Sequence, residues 1–167
     1  MTQGNATGVL AGGRIVVVDY EPHHAEAFRT LNEEWIVANF TMEEADRRIL
    51  GDPEGEILAR GGHVLIALVD GRPAGTCALV VMDDPEYDFE LVKMAVSPAV
   101  RGRGVGRMLA EAALERARSV GARGVYLESS SRLKPAIALY ESLGFRDVAG
   151  GESPYARCDT RMGLRFR

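Results

Sequence analysis

The sequence predicts a single α/β domain whose sheet is mostly antiparallel and turns parallel in its middle. Apolar β-branched runs flank a two-residue turn, Asp70-Gly71, which indicates an antiparallel hairpin. A second strand-like run ends at Val96 and is followed by a long amphipathic helix and another strand, an order that makes the two strands parallel. The 167 residues, 46% of them hydrophobic, suit one domain with one core. We therefore expect about seven strands, splayed at a central parallel pair, and about four helices.

Each element of the first half has a local signal. A β-branched run bounded by glycines predicts a first strand at 14–18. Pro22 opens a helix in which apolar residues recur at helical spacing as far as Ile36. Thr41 and Glu44 form a predicted capping box for a helix over 42–50. Three antiparallel strands then follow at 63–69, 73–82 and 87–96.

The second half alternates helices with strands. An apolar face predicts a helix over 105–120, which Gly121 ends. A short strand at 125–128 and a helix from Pro135 to the glycine at 144 come next, and two closing strands follow at 145–148 and 157–166. Glycine and small polar residues predict a flexible tail at 1–12, so the domain should occupy 13–167.

Composition excludes several classes of protein. No apolar run approaches the ~18 residues that a membrane span needs, and the N-terminus lacks the features of a secretory signal. The two cysteines and three histidines fit no metal spacing, so we expect no metal and a reducing, cytoplasmic compartment. The net charge of −4 argues against nucleic acid as a partner.

The charge is unevenly distributed along the chain. Residues 19–56 carry eleven acids and three arginines, and residues 101–123 carry six arginines and two glutamates. The acidic segment either faces a cationic substrate or forms ordinary solvated helix faces.

The basic segment coincides with a glycine-rich loop between a strand and a helix. Three glycines and two arginines lie between Val96 and the helix start, with no acid among them. The first N–H groups of a helix lack intrahelical partners and carry partial positive charge, and glycine allows an anion to approach them closely. We therefore expect residues 101–107 to hold a phosphate-bearing ligand.

This loop resembles the acetyl-CoA signature of the GNAT-family N-acetyltransferases. The dinucleotide-binding and P-loop patterns are both absent, whereas Arg101-x-x-Gly104-x-Gly106 is similar to Arg/Gln-x-x-Gly-x-Gly/Ala. A second family signature, Ala-x-x-Leu-Tyr-x-x-x-Gly-Phe, is matched by residues 136–145. The two motifs occur in the family's order with the predicted strand between them, and the resemblance covers nearly the whole chain.

The resemblance implies a GNAT-like fold, acetyl-CoA as co-substrate and specific roles along the chain. The backbone of the loop would hold the pyrophosphate of coenzyme A, and a β-bulge at the end of the preceding strand would present an N–H group to the thioester carbonyl. The implied cofactor-binding residues are Met94, Ala95, Val96, Arg101, Gly102, Arg103, Gly104, Val105, Gly106 and Arg107.

The same resemblance implies that Tyr140 is the general acid that protonates the departing thiolate. The alternative for Tyr140 is a core aromatic on an amphipathic helix. Many family members carry an asparagine just before the second motif, where this chain has serines at 129–131. A serine has both a donor and an acceptor and can substitute, but the sequence does not single one out.

A primary amine must lose a proton before it attacks, so a base is needed. Glu90 is the first candidate, because strand alternation predicts that Glu90, Val92, Met94 and Val96 share one face. Glu128, on the neighbouring strand, is the second candidate. Either glutamate is alternatively a surface acid or an ion-pair partner. Cys77 and Cys158 have no adjacent base on their predicted strands, and we interpret them as small core residues rather than nucleophiles.

The acceptor pocket should be built from the first two helices and the last strands, with Glu34, Trp35 and Phe40 as lining residues and Glu33 as a further candidate. Trp35 is alternatively a core residue. The predicted function is direct transfer of acetyl from acetyl-CoA to a primary amine of a small molecule or peptide, without a covalent acetyl-enzyme. The alternatives are a non-catalytic acyl-CoA-binding sensor module and a nucleic-acid binder, which the net charge opposes. From the resemblance we also expect a homodimer.

Overall fold

A computed structural model describes residues 7–10 and 13–167. One mixed sheet of eight strands runs through these residues in the order β1-β2-β3-β4-β5-β6-β8-β7. Its strands are β1 (Thr7–Leu10), β2 (Gly13–Asp19), β3 (His63–Val69), β4 (Arg72–Val81), β5 (Phe89–Val96), β6 (Gly124–Ser129), β7 (Arg146–Asp147) and β8 (Thr160–Arg165). Its α-helices are α1 (Ala25–Asn39), α2 (Glu44–Gly51), α3 (Pro53–Glu56), α4 (Val105–Ser119) and α5 (Lys134–Ser142).

The predicted fold class is confirmed. Every strand pair is antiparallel except β5 and β6, which are parallel at the centre of the sheet. The hairpin between β3 and β4 turns at Asp70 and Gly71, both with positive φ (51° and 81°), as the sequence predicts. The second half of the chain follows the predicted order of helices and strands.

Two details of the first half differ from the sequence-based expectation. Residues 7–10, assigned to the predicted tail, form β1 and pair with β2, whereas residues 1–6 and 11–12 of that tail lie outside the described residues. The capping box of α2 is Glu43 with Asp46, not Thr41 with Glu44. Asp46 is buried, and its carboxylate binds the cations Lys93 and Arg157. The helix therefore begins where this carboxylate can also accept a hydrogen bond from the backbone N–H of Glu43.

The sheet separates two hydrophobic cores. One packs α4 and α5 on one face, around residues such as Leu91, Leu109 and Phe145. The other packs α1 and α2 on the opposite face, around Phe28 and Ile66. No helix among the described residues is long and apolar enough to span a membrane.

Candidate active site

The sheet opens where its two parallel strands stop pairing. The register of β5 and β6 joins Phe89 to Val125, Glu90 to Tyr126 and Leu91 to Leu127, and extends no further. β5 nevertheless continues to Val96 and β6 to Ser129. A wedge-shaped gap therefore separates the carboxyl ends of these strands, where open sheets bind ligands.

A β-bulge bends β5 at this gap. Thr76 of β4 is opposite Ala95 and Ala78 is opposite Val92, so Lys93 and Met94 are two residues against one. Lys93 has a φ of 55°, in the left-handed region. The Thr76 hydroxyl donates to the Lys93 carbonyl (2.9 Å) and accepts from the amide of buried Asn32 in α1 (2.9 Å). These bonds fix the bulge to the α1 face.

The bulge overturns one prediction about side-chain direction. Glu90, Val92, Met94 and Val96 were expected on one face, but Val92 packs in the α1 core whereas Met94 and Val96 pack in the α4 core. The extra residue at the bulge shifts the alternation by one position, so the strand changes faces between Val92 and Met94.

The glycine loop forms the N-terminus of α4 beside the gap. Gly104 is the N-cap with a φ of 77°, and Gly102 has a φ of 79°, conformations that favour glycine. The first intrahelical donor is the N–H of Met108, which donates to the Gly104 carbonyl, so the preceding N–H groups of α4 have no carbonyl within the helix. A Cβ built on Gly102 would meet nothing within 4 Å, which leaves this loop open to an approaching anion.

A cavity of about 200 Å³ reaches from Arg101, at the start of this loop, to the α1 side of the sheet. Trp35 and Phe40 line one wall, Glu90 and Glu128 lie at the strands, and Arg101 and Tyr140 line the side that faces α4 and α5. The bulge contributes Lys93 and Met94, and the segment before β8 contributes Tyr155, Arg157 and Cys158. The cavity therefore joins the three predicted catalytic residues with Trp35 and Phe40 of the predicted acceptor side. Of the predicted cofactor-binding residues, Met94, Val96 and Arg101 line it, whereas Ala95 and residues 102–107 do not.

Tyr140 lies at the wall of this cavity on α5. Its side chain is 7% exposed, and its ring meets that of Phe145 at 5.8 Å in an edge-to-face contact. Burial raises the pKa of the Tyr140 phenol above its ordinary value, so the phenol is protonated at neutral pH. Tyr140 therefore contributes both to the cavity wall and to the packing of the core.

Glu90 and Glu128 form a pair across the parallel strands. Burial, the charge of Glu128 and a hydrogen bond between the two carboxyl groups together raise the pKa of Glu90 to about 7. The Glu128 carboxylate lies 3.6 Å from Nε of Arg161 on β8 and is 8% exposed. The pair therefore contains a carboxyl group, that of Glu90, whose raised pKa suits proton exchange near neutral pH.

A buried charge network holds the bulge against α2 and the segment that precedes β8. The Lys93 ammonium lies 2.6 Å from Asp46, and the Arg157 guanidinium donates to both Asp46 oxygens, at 2.7 and 2.9 Å. Arg157 also pairs with Glu43 at 3.1 Å. Burial acts to raise the pKa of Asp46, but hydrogen bonds from Arg157 and Lys93 outweigh it and hold that pKa well below its ordinary value.

Some predicted site residues lie elsewhere. Glu34 is exposed and Glu33 half-buried, and neither lines the cavity, because α1 turns them away from it. The Arg107 side chain faces outward to Ser142 (2.6 Å) and Glu111 (3.5 Å), so only its backbone can serve a phosphate. Cys77 is a core residue as predicted, whereas Cys158 precedes β8 and lines the cavity, which corrects its assignment to a strand.

The serines at 129–131 divide into two kinds. Ser129 and Ser130 are buried and line the cavity. Ser131 is exposed, and its N–H and hydroxyl both donate to Asp159, at 2.7 and 2.6 Å. Ser131 is therefore already engaged, and Ser129 and Ser130 are the serines that face the site.

Several cavity residues escaped the sequence analysis. Asn32 is a polar residue on the buried face of α1, and this departure from the apolar pattern was the one available signal. Lys93 was not among the predicted site residues. Tyr155 lies in a segment without periodicity, and Arg157 was assigned to the strand predicted at 157–166, which begins only at Thr160.

Comparison with known proteins agrees with this geometry. The model of the acetyltransferase (GNAT) family matches residues 18–145. The uncharacterized N-acetyltransferase YjgM of Escherichia coli is 40% identical over 111 residues, which cover 65% of this chain and 58% of YjgM. A [ribosomal protein bS18]-alanine N-acetyltransferase of Salmonella typhimurium is 40% identical over 79 residues, or 47% of this chain and 51% of that protein. The chain thus spans little more than half the length of these relatives.

Solved structures share the fold at low identity. A GNAT-family acetyltransferase of Staphylococcus aureus superposes with a TM-score of 0.81 at 20% identity, over 92% of this chain and 99% of that one. A Salmonella typhimurium protein described as the putative acetyltransferase yncA with its cofactor acetyl-CoA gives 0.72 at 22% identity, over 90% and 93%. Since the family model covers well over half of its residues, the chain belongs to the acetyltransferase (GNAT) family.

Proposed function

We propose that this protein transfers the acetyl group of acetyl-CoA directly to a primary amine of a small molecule or peptide. The observation that carries the proposal is the cavity that reaches from Arg101, at the start of the glycine loop, to the Glu90–Glu128 pair, because it offers both substrates a place at one opening of the sheet. The structural relative described with acetyl-CoA supports the choice of acyl donor.

The loop residues fit the pyrophosphate of coenzyme A. Gly102 and Gly104 adopt positive φ, and a Cβ on Gly106 would lie at ordinary van der Waals distance from Val96 (3.8 Å) and Leu139 (3.9 Å), so the conformational demand for glycine falls on positions 102 and 104. In the proposal the free N–H groups at the start of α4 bind the phosphate oxygens, with Arg101 adding charge. The arginine side chains matter less than the backbone.

The bulge supports binding of the thioester carbonyl. Lys93 and Met94 have no register partner on β4, and pairing with β6 ends at Leu91, so this backbone segment borders the gap. In the proposal an N–H group of residues 94–96 donates to the carbonyl oxygen as negative charge develops on it. Losing a donor of this kind costs roughly 3–4 kcal/mol of transition-state stabilisation in other enzymes.

Three proton transfers complete the proposed reaction. The ammonium form of the amine first loses a proton to Glu90, with Glu128 as its paired carboxyl, and the neutral nitrogen then forms the new C–N bond while the C–S bond breaks. Tyr140 donates its proton to the departing thiolate, and the resulting phenolate takes up the second proton that the acetylated nitrogen releases. A carboxyl with a pKa near 7 is well suited to accept a proton at neutral pH, and a phenol with a raised pKa is a proton donor there.

A thiol-release assay with acetyl-CoA and a broad panel of primary amines tests the function. We expect free CoA in proportion to acetylated amine, identified by mass spectrometry. If no amine released CoA above background while calorimetry showed tight acetyl-CoA binding, the proposal would fail and the sensor module would replace it.

A further inference from the structure

An arginine lies at the mouth of the cavity, on the ring of Phe40. The Arg132 guanidinium is 5.3 Å from the centroid of that ring, and Phe40 itself lines the cavity wall. Stacking on an aromatic face fixes the plane of a guanidinium and leaves its N–H edge free to donate. The guanidinium is therefore held in place at the entrance.

The charge of Arg132 is not neutralised by the chain around it. Among residues 13–167, no carboxylate lies within 4 Å of its guanidinium, whereas Arg157, 5.8 Å from the same ring, pairs with Asp46 and Glu43. Asp159, which binds the neighbouring Ser131, is engaged by Ser131 and Thr160. The charge of Arg157 is thus neutralised by its ion pairs, whereas Arg132 presents its charge to the solvent.

A surface groove continues from the cavity past this arginine. Phe40 and Arg157 line both, and the groove adds Val37, Thr41, Arg132 and Glu43, whose carboxylate is paired with Arg157 at 3.1 Å. Val37 is 67% exposed, so the groove presents an apolar side chain near this cation. An acceptor with its amine inside the cavity would pass Arg132 on its way out.

We propose that Arg132 binds an anionic group of the acceptor, so that the preferred substrates are primary amines that also carry a carboxylate. The inference rests on the proposed function and names its substrate class. The amine end enters toward Glu90 and Glu128, and the carboxylate end remains at the mouth, where Arg132 is the unneutralised cation. A free ω-amino acid and a peptide with an acidic residue near its N-terminus share this chemistry.

Matched pairs of acceptors test the proposal. One pair is 5-aminopentanoate and its amide, and the other is the peptide amides Ala-Asp-Ala-Ala and Ala-Asn-Ala-Ala, so that each pair differs only in a carboxylate. The measurement is kcat/KM for acetylation by the wild type, Arg132→Gln and Arg132→Lys. The matched control is Arg118→Gln, since Arg118 is also exposed and stacked on a ring, that of Phe166 at 4.6 Å, but at the far end of α4.

We expect the wild type to favour the carboxylate member of at least one pair by about tenfold, as an exposed charge-assisted contact allows. Arg132→Gln should reduce this ratio to near one, Arg132→Lys should retain part of it, and Arg118→Gln should retain all of it. The preferred pair identifies a free amino acid or a peptide as the acceptor. Raising the ionic strength should reduce the wild-type ratio, because the contact is solvent-exposed.

The results that overturn the inference differ from those that overturn the function. Acetylation of amines without a carboxylate preference in either pair, or a preference that survives in Arg132→Gln, would refute the role of Arg132 and leave the acetyltransferase proposal standing. Acetyl-CoA binding without acetylation of any amine in the wider panel would refute both.

Discussion

The Nζ atom of Lys93 lies 2.6 Å from Oδ1 of Asp46, with both side chains almost fully buried, at 4% and 0% exposure. One residue belongs to the bulge of the central sheet and the other to a helix on its face, 47 positions earlier in the chain. Arg157 completes the network from a third segment. A buried carboxylate with two cations is costly to assemble but strongly ordering once its bonds are made.

Asp46→Asn should therefore destabilise the protein by roughly 3–5 kcal/mol, because it leaves Lys93 and Arg157 buried beside a neutral group. Chemical denaturation measures the free energy of unfolding. Glu44→Gln is the control, since Glu44 is 93% exposed and pairs only loosely with Arg47, at 3.9 Å. A loss within about 1 kcal/mol for Asp46→Asn would show that the network contributes little net stability.

Glu90→Gln should remove the acidic limb of the pH profile of kcat/KM, which we expect in the wild type with an apparent pKa near 7 that belongs to the carboxyl pair. The rate itself should fall about 10²-fold or more at pH 8. An unchanged profile in this variant would assign the limb to another group, such as the acceptor amine.

Glu90→Gln, which should lower the rate, should raise the stability of the fold above neutral pH. The folded-state pKa of Glu90 is raised from 4.5 to about 7, so the folded protein holds a proton that the unfolded chain releases, and stability is lost as pH rises through this window. Glu90→Gln should thus stabilise the fold at pH 8 by up to about 3 kcal/mol and change little at pH 4. Denaturation of both proteins at the two pH values checks the sign.

Tyr140→Phe should lower kcat by about 10²-fold or more while the Kd for acetyl-CoA changes little, because the hydroxyl is needed for protonation and the ring for packing. Tyr87→Phe is the control, since Tyr87 is also a buried tyrosine but does not line the cavity. Full activity of Tyr140→Phe would indicate that water or another group protonates the thiolate.

Gly104→Asp should abolish acetyl-CoA binding, because it adds a carboxylate where phosphate is proposed to sit. Gly121→Asp controls for backbone strain, as Gly121 follows the other end of α4 with a φ of 79°, close to the 77° of Gly104. Calorimetry gives the Kd of each variant. Equal affinities for acetyl-CoA in the two variants would refute the phosphate site.

Much of the fold was predictable because its signals are local. Each of these signals can be recognised within a short stretch of sequence: the Asp70-Gly71 turn, the apolar periodicity of α4, and the glycines that follow α4 and α5. The predicted N-terminus of α2 was wrong because Asp46 is bound by Lys93 and Arg157. No local sequence pattern contains those contacts. Tertiary partners thus decided a boundary that propensity could not.

The site divides in the same way. The glycine loop and Tyr140 follow from motifs, and the structure brings Tyr140 and Arg101, the first residue of the loop motif, to one cavity. The predicted face of Met94 and Val96 was wrong because the bulge shifts the alternation of side chains. The bulge is held by the hydrogen bonds of Thr76 and Asn32, which are distant in sequence. Tyr155 could not be found, because an irregular segment carries no periodicity, and Arg157 was assigned to a strand that begins only at Thr160.

The bulge also has a consequence for how this protein can change. Before it, Glu90 and Val92 face the α1 side, and after it Met94 and Val96 face the α4 side. Under the proposed function, the choice of amine and the size of the acyl group are therefore encoded at separate positions of a single strand. Mutational libraries at 92 should alter the acceptor range, and libraries at 94 and 96 should alter tolerance for propionyl or longer donors, with each property selectable without loss of the other.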